Sequence, residues 1–255
     1  MTLFVRRSWI WGGALAFCAL AAGVWWVASS SEETGDPVVS AAMQALDEEL
    51  AKTRLYRVWK EKYPEDYQAF LRERVTKSPG GDSDSLLSRS AERMQRYLPY
   101  ADNGSLIRFM TFTERQYVAI QAISPIQCAL YAVGDTEFDT RLLKHIEKND
   151  PGLSRAAMSD ILADIMASND SKRKIPSEAD IATVKMKIQE PADSEGRALL
   201  QQLQETDGYD RICRASIVSS QIILKLPEDE AAGFLRYAFH AAFVARINEA
   251  GDDKP

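Results

Sequence analysis

No charged residue falls between Arg7 and Glu32, and the apolar heart of that stretch, residues 9–28, is 20 residues long. As an α-helix it measures about 30 Å, the thickness of a bilayer hydrocarbon core. A single segment satisfies its backbone hydrogen bonds in that medium only by coiling into a helix. Trp9 and Trp11 lie near one end and Trp25 and Trp26 near the other, where indole rings favour the headgroup interface. Arg6 and Arg7 precede the run, and Glu32 and Glu33 follow it. That asymmetry predicts an N-terminus in the cytoplasm and the rest of the chain outside it.

The chain therefore divides into a cytoplasmic tail (1–7), a transmembrane signal anchor (8–29), a polar linker (30–40), an exported domain (41–250) and a short tail (251–255). The expected location is the bacterial inner membrane, crossed once, with the C-terminal domain in the periplasm. The rival reading is a signal peptide cleaved at the small residues of Val27-Ala28-Ser29, which leaves a periplasmic or secreted domain. The apolar run exceeds the usual signal-peptide core of about 7–15 residues, which favours the anchor. Both readings export the domain. Gly12, Ala16, Ala19 and Gly23 share one face of the anchor, where small residues allow weak self-association.

Export makes the cysteines informative. Cys18 lies inside the apolar run, leaving Cys128 and Cys213 in the exported part, an even number in an oxidising compartment. Their apolar neighbours suit two facing helices, and the expectation is a disulfide between them. No CxxC or His-Cys cluster is present, so neither a metal nor a cofactor is expected. Without Arg6 and Arg7 the chain has 29 basic against 37 acidic residues. An acidic domain argues against a nucleic-acid partner. The one basic cluster, SKRK from Ser171, is too short to line a groove.

The exported part reads as all-α, a single helical-bundle domain of about nine helices. An aromatic-rich helical arm (41–77) comes first, with Tyr56, Trp59, Tyr63, Tyr67 and Phe70 recurring mostly at three or four residues. Pro64 starts a new helix with two acids in its first turn. KSPGGDSDS then breaks the chain and separates the arm from a main body (84–250). In the body, DNGS at 102–105 reads as a turn, and the most apolar helix runs over 106–123. Ser124-Pro125 restarts a short helix that carries Cys128. TEFDTRLLKHIEK opens with Thr136 three residues before Asp139, close to a capping box. RICRASIVSSQIILKL is rich in β-branched residues, yet apolar positions 212, 215, 218, 222 and 226 fit a helix better than a strand. PEDEAAGFLRYAFHAAFVARINEAG closes the domain, with Gly251 expected after the helix end.

Motifs for metal, phosphate, dinucleotide or serine-nucleophile chemistry are absent from the sequence. Two buried polar residues stand out instead. Glu114 falls among Ile107, Met110, Tyr117 and Val118 on one helix face, where a carboxylate must pair, stay protonated or face a cavity. Pairing with Arg214 or Arg236 is the expectation. His240 follows Arg236 by one turn on a nearly all-apolar helix and reads as a buried, hydrogen-bonded histidine. The aromatic arm either packs on the body or forms an exposed interface for a partner. The sequons at Asn103 and Asn169 matter only in a eukaryotic secretory pathway.

These features describe a membrane-anchored extracytoplasmic module that binds an envelope protein partner, in an assembly or chaperone-like role, rather than an enzyme. The alternatives are a cell-envelope hydrolase using Glu114 and a helical domain that binds an apolar ligand.

Overall fold

The computed structural model describes residues 37–77, 93–133, 138–189 and 208–252, with side chains as far as Val244. Every regular element among them is helical. The ten α-helices are α1 (Pro37–Leu50), α2 (Arg54–Lys62), α3 (Pro64–Lys77), α4 (Asn103–Ile123), α5 (Pro125–Val133), α6 (Arg141–Asn149), α7 (Arg155–Ser168), α8 (Glu178–Gln189), α9 (Tyr209–Lys225) and α10 (Glu228–Asp252). Short 3-10 turns at Gln95–Tyr100 and Pro151–Leu153 precede α4 and α7. None of the described helices is long and apolar enough to cross a membrane. The segment read as the anchor, with Gly12, Ala16, Ala19 and Gly23, lies outside the described residues. So does the stretch PADSEGRALLQQLQET that reads as helical.

Several boundaries differ from the sequence reading for local reasons. α1 begins at Pro37, inside the stretch read as linker, because a proline at the first helical position forfeits no helical hydrogen bond. A break at residues 51–53, unmarked by glycine or proline, separates α1 from α2. Thr53 is extended there, and the Arg57 guanidinium donates to the carbonyls of Ala51 and Lys52, which α1 leaves open. DNGS is not a turn between elements but the start of α4. Asp102 is its N-cap and accepts from the Ser105 amide at 2.6 Å. α6 begins at Arg141 with Thr140 at its N-cap, and Thr136 lies outside the described residues. Gly251 lies within α10 rather than after it.

The buried side chains form two groups strung along α4, α7 and α9. The larger takes Leu106, Phe109 and Met110 from the first half of α4 and joins them to α1–α3, the end of α7, α8 and α10. The smaller takes Phe112, Tyr117 and Ile120, from the middle of α4 onward, and joins them to α5, α6 and the first half of α9. Side chains of the arm and of the body therefore share one buried group. Leu55, Tyr56 and Trp59 give α2 an apolar face that has to be covered, and α7 covers it.

Charges then hold the arm in register. Asp164 of α7 accepts from Arg54 of α2 at 2.5 Å and from Arg108 of α4 at 2.5 Å. Lys62 donates to the Ala167 carbonyl. Within the arm, Asp47 takes Lys60 at 2.6 Å and the Tyr67 hydroxyl at 3.0 Å. The Lys60 hydrogen bond holds the Asp47 carboxyl below the usual range. Burial pushes Asp164 up, but its hydrogen bonds to Arg54 and Arg108 outweigh this and hold it low. A carboxyl lowered by folding stabilises the fold above its unfolded pKa, and that contribution disappears as pH falls through the lowered folded value. Denaturant midpoints should therefore be flat near neutrality and fall below about pH 4, where unfolded aspartate takes up its proton. Asp164→Asn should be less stable at neutral pH and less sensitive to acid. An acid limb as steep in Asp164→Asn as in the parent would remove Asp164 from this account.

Candidate functional site

Four of the five aromatic residues of the arm lie in the core, and Tyr63 packs against it. Trp59 is fully buried, with the rings of Phe70, Tyr67 and Tyr56 at 4.8, 5.8 and 6.4 Å. Tyr63 is half-buried against the Tyr97 ring at 4.2 Å. Beneath them sits Asp66, read from sequence only as an acid in the first turn of α3. It accepts from Trp59 Nε1 at 3.0 Å and from the Tyr97 hydroxyl at 2.8 Å, and pairs with Arg93 and Arg96 at 3.3 Å each. Arg93 also pairs with Glu73. Burial pushes the phenols of Tyr67 and Tyr97 well up, so both remain donors. Of the two readings of the arm, packing on the body is the one that the burial of Tyr56, Trp59, Tyr67 and Phe70 supports, and these rings do not form an exposed interface. A periodic aromatic stripe marks a face that will be buried, and here the chain's own α7 and 3-10 turn bury it.

Glu114 lies half-buried on α4, where its Oε1 accepts from Gln221 Nε2 of α9 at 2.8 Å. The arginines expected to pair with it are engaged elsewhere. Arg214 pairs with Asp210 one turn back at 3.0 Å, and Arg236 reaches the Ala101 carbonyl and Asn103 Oδ1. Spacing put Glu114 in the middle of an apolar face, but Val118 on that face is 42 % exposed. The buried line runs instead through Phe109, Met110, Thr113, Gln116 and Tyr117, with Glu114 at its edge. A glutamine can accept the same hydrogen bond. Glu114→Gln should therefore change stability by less than about 1 kcal/mol, read from denaturant melts. A loss of about 3 kcal/mol would mean that the carboxylate neutralises a buried charge after all.

His240 is half-buried on α10, directly after the buried Phe239. His145 is exposed and meets Asn149 one turn on, at the end of α6. The buried polar centre of α10 is Arg236, with 8 % of its surface exposed. Burial and the neighbouring Arg173 push its guanidinium below the usual value, while Asp102 and Asp229 act the other way. Its bonds to Ala101 and Asn103 tie α10 to the start of α4. Both sequon asparagines work inside the fold. Asn103 donates to Asp229 Oδ1 at 2.6 Å, and Asn169 donates to the Tyr97 carbonyl at 2.8 Å.

Cys128 of α5 and Cys213 of α9 are joined by a disulfide, with Cα atoms 5.4 Å apart and both residues fully buried. Tyr131 packs nearby against Tyr117 and Phe138, at centroid distances of 5.9 and 4.8 Å. Its hydroxyl donates to Gln116 Oε1 at 2.6 Å. Among the described residues no group of three His, Cys, Asp or Glu side chains is placed to hold a metal ion. Chemically, these polar residues join helices: Asp66, Asp164, Glu114 and Arg236 each bond a second element. Comparison with protein-family models, with curated proteins and with solved structures gives no match.

Proposed function

We propose that the chain is a single-pass membrane protein whose helical domain stands outside the cytoplasm and binds an envelope protein partner in an assembly or chaperone-like role. The observation that supports this most is the buried Cys128–Cys213 bond in a chain that opens with an uncharged run of membrane-spanning length. Disulfides persist in oxidising compartments and are rare in the cytosol. The bond and the charge asymmetry around the run argue for export independently of each other. The commitment of both sequon amides to internal hydrogen bonds suits a compartment without N-glycosylation.

Binding fits better than catalysis because the striking polar residues hold helices together. Tethering raises the effective concentration of such a domain near membrane partners without any new contact. Glu114, the carboxylate singled out for a hydrolase, bonds a neutral amide rather than a second carboxylate. Two carboxyl groups flank the bond in most glycosidases.

Two measurements test the proposal. Reporter fusions after residues 5 and 60 should place these points on opposite sides of the inner membrane; the same side for both overturns the topology. Crosslinking in native membranes, followed by purification of the full chain, should recover one partner reproducibly, and the same pair should form again from purified components. Recovery of the chain alone overturns the binding role. Glu114→Gln should leave the recovery unchanged.

A further inference from the structure

The disulfide lies wholly within the smaller of the two buried groups, where the ion pairs Arg115–Asp150 and Arg155–Glu147 reach α6 and the turn after it but none reaches α5. α5 has nine residues, PIQCALYAV, without a charge among them. A helix so short is marginal unless its neighbours hold it. Its side-chain polar links include Tyr131 to Gln116 and Gln127 to the Asp139 amide. α6 adds Ile146 to the same group and is half-exposed along Leu142 and Leu143. The larger group has its own framework, in Asp164 between Arg54 and Arg108, Asp66 beneath Trp59 and Tyr97, and Arg236 at the start of α4. None of these touches a cysteine.

We infer that the Cys128–Cys213 bond is a redox-sensitive clamp on the smaller buried group: its reduction frees α5 and α6, while the larger group keeps its packing. Proteins open in contiguous units of unequal stability, and this one is divided where α4 passes from one group to the other. Full burial of both sulfurs makes the clamp gated, since a reductant reaches them only after α5 has parted from α9. The chemistry is ordinary exchange with a dithiol. Its thiolate attacks one cysteine sulfur and breaks the Sγ–Sγ bond, and the second thiol of the reagent displaces the mixed disulfide. Two electrons pass to the protein, each cysteine sulfur takes a proton, and the dithiol leaves as a cyclic disulfide. The inference does not depend on the proposed partner.

Hydrogen exchange on the full chain in detergent, oxidised and after dithiol treatment, tests it. Exchange should quicken at least about tenfold over 125–133 and 141–149 and stay within about twofold over 54–77 and 228–244. Equal acceleration everywhere, or none anywhere, overturns the inference. A second reading does not require the reduced protein to stay folded. Alkylation of the oxidised native chain during dithiol treatment should label Cys128 and Cys213 at least about a hundredfold more slowly than in denaturant. Labelling at equal speeds overturns the gating. Cys18 is read on its own peptide.

Discussion

Replacing Trp59 with alanine should destabilise the domain by about 3–5 kcal/mol, the usual cost of removing a large aromatic side chain from a core. The ring is fully buried and its removal strips contacts from Tyr56, Tyr67 and Phe70 together. It also takes one donor from Asp66, which keeps Tyr97 and the Arg93 and Arg96 charges. Since α2 meets α7 through this face, the loss falls on the joint between arm and body as well as on the arm. Net stabilities of domains are only about 5–15 kcal/mol, so the variant should be close to unfolding at physiological temperature. Trp59→Phe separates volume from hydrogen bond, because it keeps most of the ring and loses the indole N–H. Its cost should be about 1–2 kcal/mol. The other tryptophans, at 9, 11, 25 and 26, make fluorescence ambiguous, so denaturant melts should be followed by circular dichroism. A loss below about 1 kcal/mol for Trp59→Ala would mean that the arm does not share the core of the body.

The same residue shows where sequence reading stops. Helical periodicity identified the apolar face of the arm, but periodicity says that a face will be covered, not by what. The covering surface comes from α7, a hundred residues away in the chain and unmarked by any local signal. Glu114 shows the converse limit. Angular arithmetic put it among Ile107, Met110, Tyr117 and Val118 and treated apolar neighbours as buried neighbours, and Val118 proved exposed. Asp66 went unrecognised because an acid in the first turn of a helix already has a sufficient explanation in the helix dipole. Where the physics was local, the reading worked. Proline after Ser124 restarted the helix, and apolar spacing over 212–226 outweighed the β-branched content of α9. DNGS had a second local meaning, because an aspartate can cap a helix as readily as it can open a turn. The pairing of Cys128 with Cys213 was legible from two cysteines outside the apolar run, each with apolar neighbours that suit facing helices.

Removing that pair should have the other large effect. The bond closes a separation of 85 residues, and in the chain-entropy model such a link stabilises the fold by about 4.6 kcal/mol through the unfolded state. Cys128→Ala with Cys213→Ala should lose up to that amount, with a small addition for two sulfur atoms taken from a filled interior. Reduced parent protein isolates the bond from the packing, because it keeps both sulfurs and frees the chain. The two should agree to within about 1 kcal/mol if the loop is what matters. If α5 and α6 open before the rest, the loss should also change the shape of the melt. The oxidised protein then unfolds in one step, and the variant in two, each with a lower denaturant dependence because each exposes only part of the surface. A single transition displaced along the denaturant axis would place both buried groups in one cooperative unit. An unmoved midpoint would mean that the two cysteines do not close the loop in the native protein. Cys128→Ala alone leaves Cys213 as a thiol in an apolar interior, and should match the double variant rather than fall midway, since half a disulfide constrains nothing.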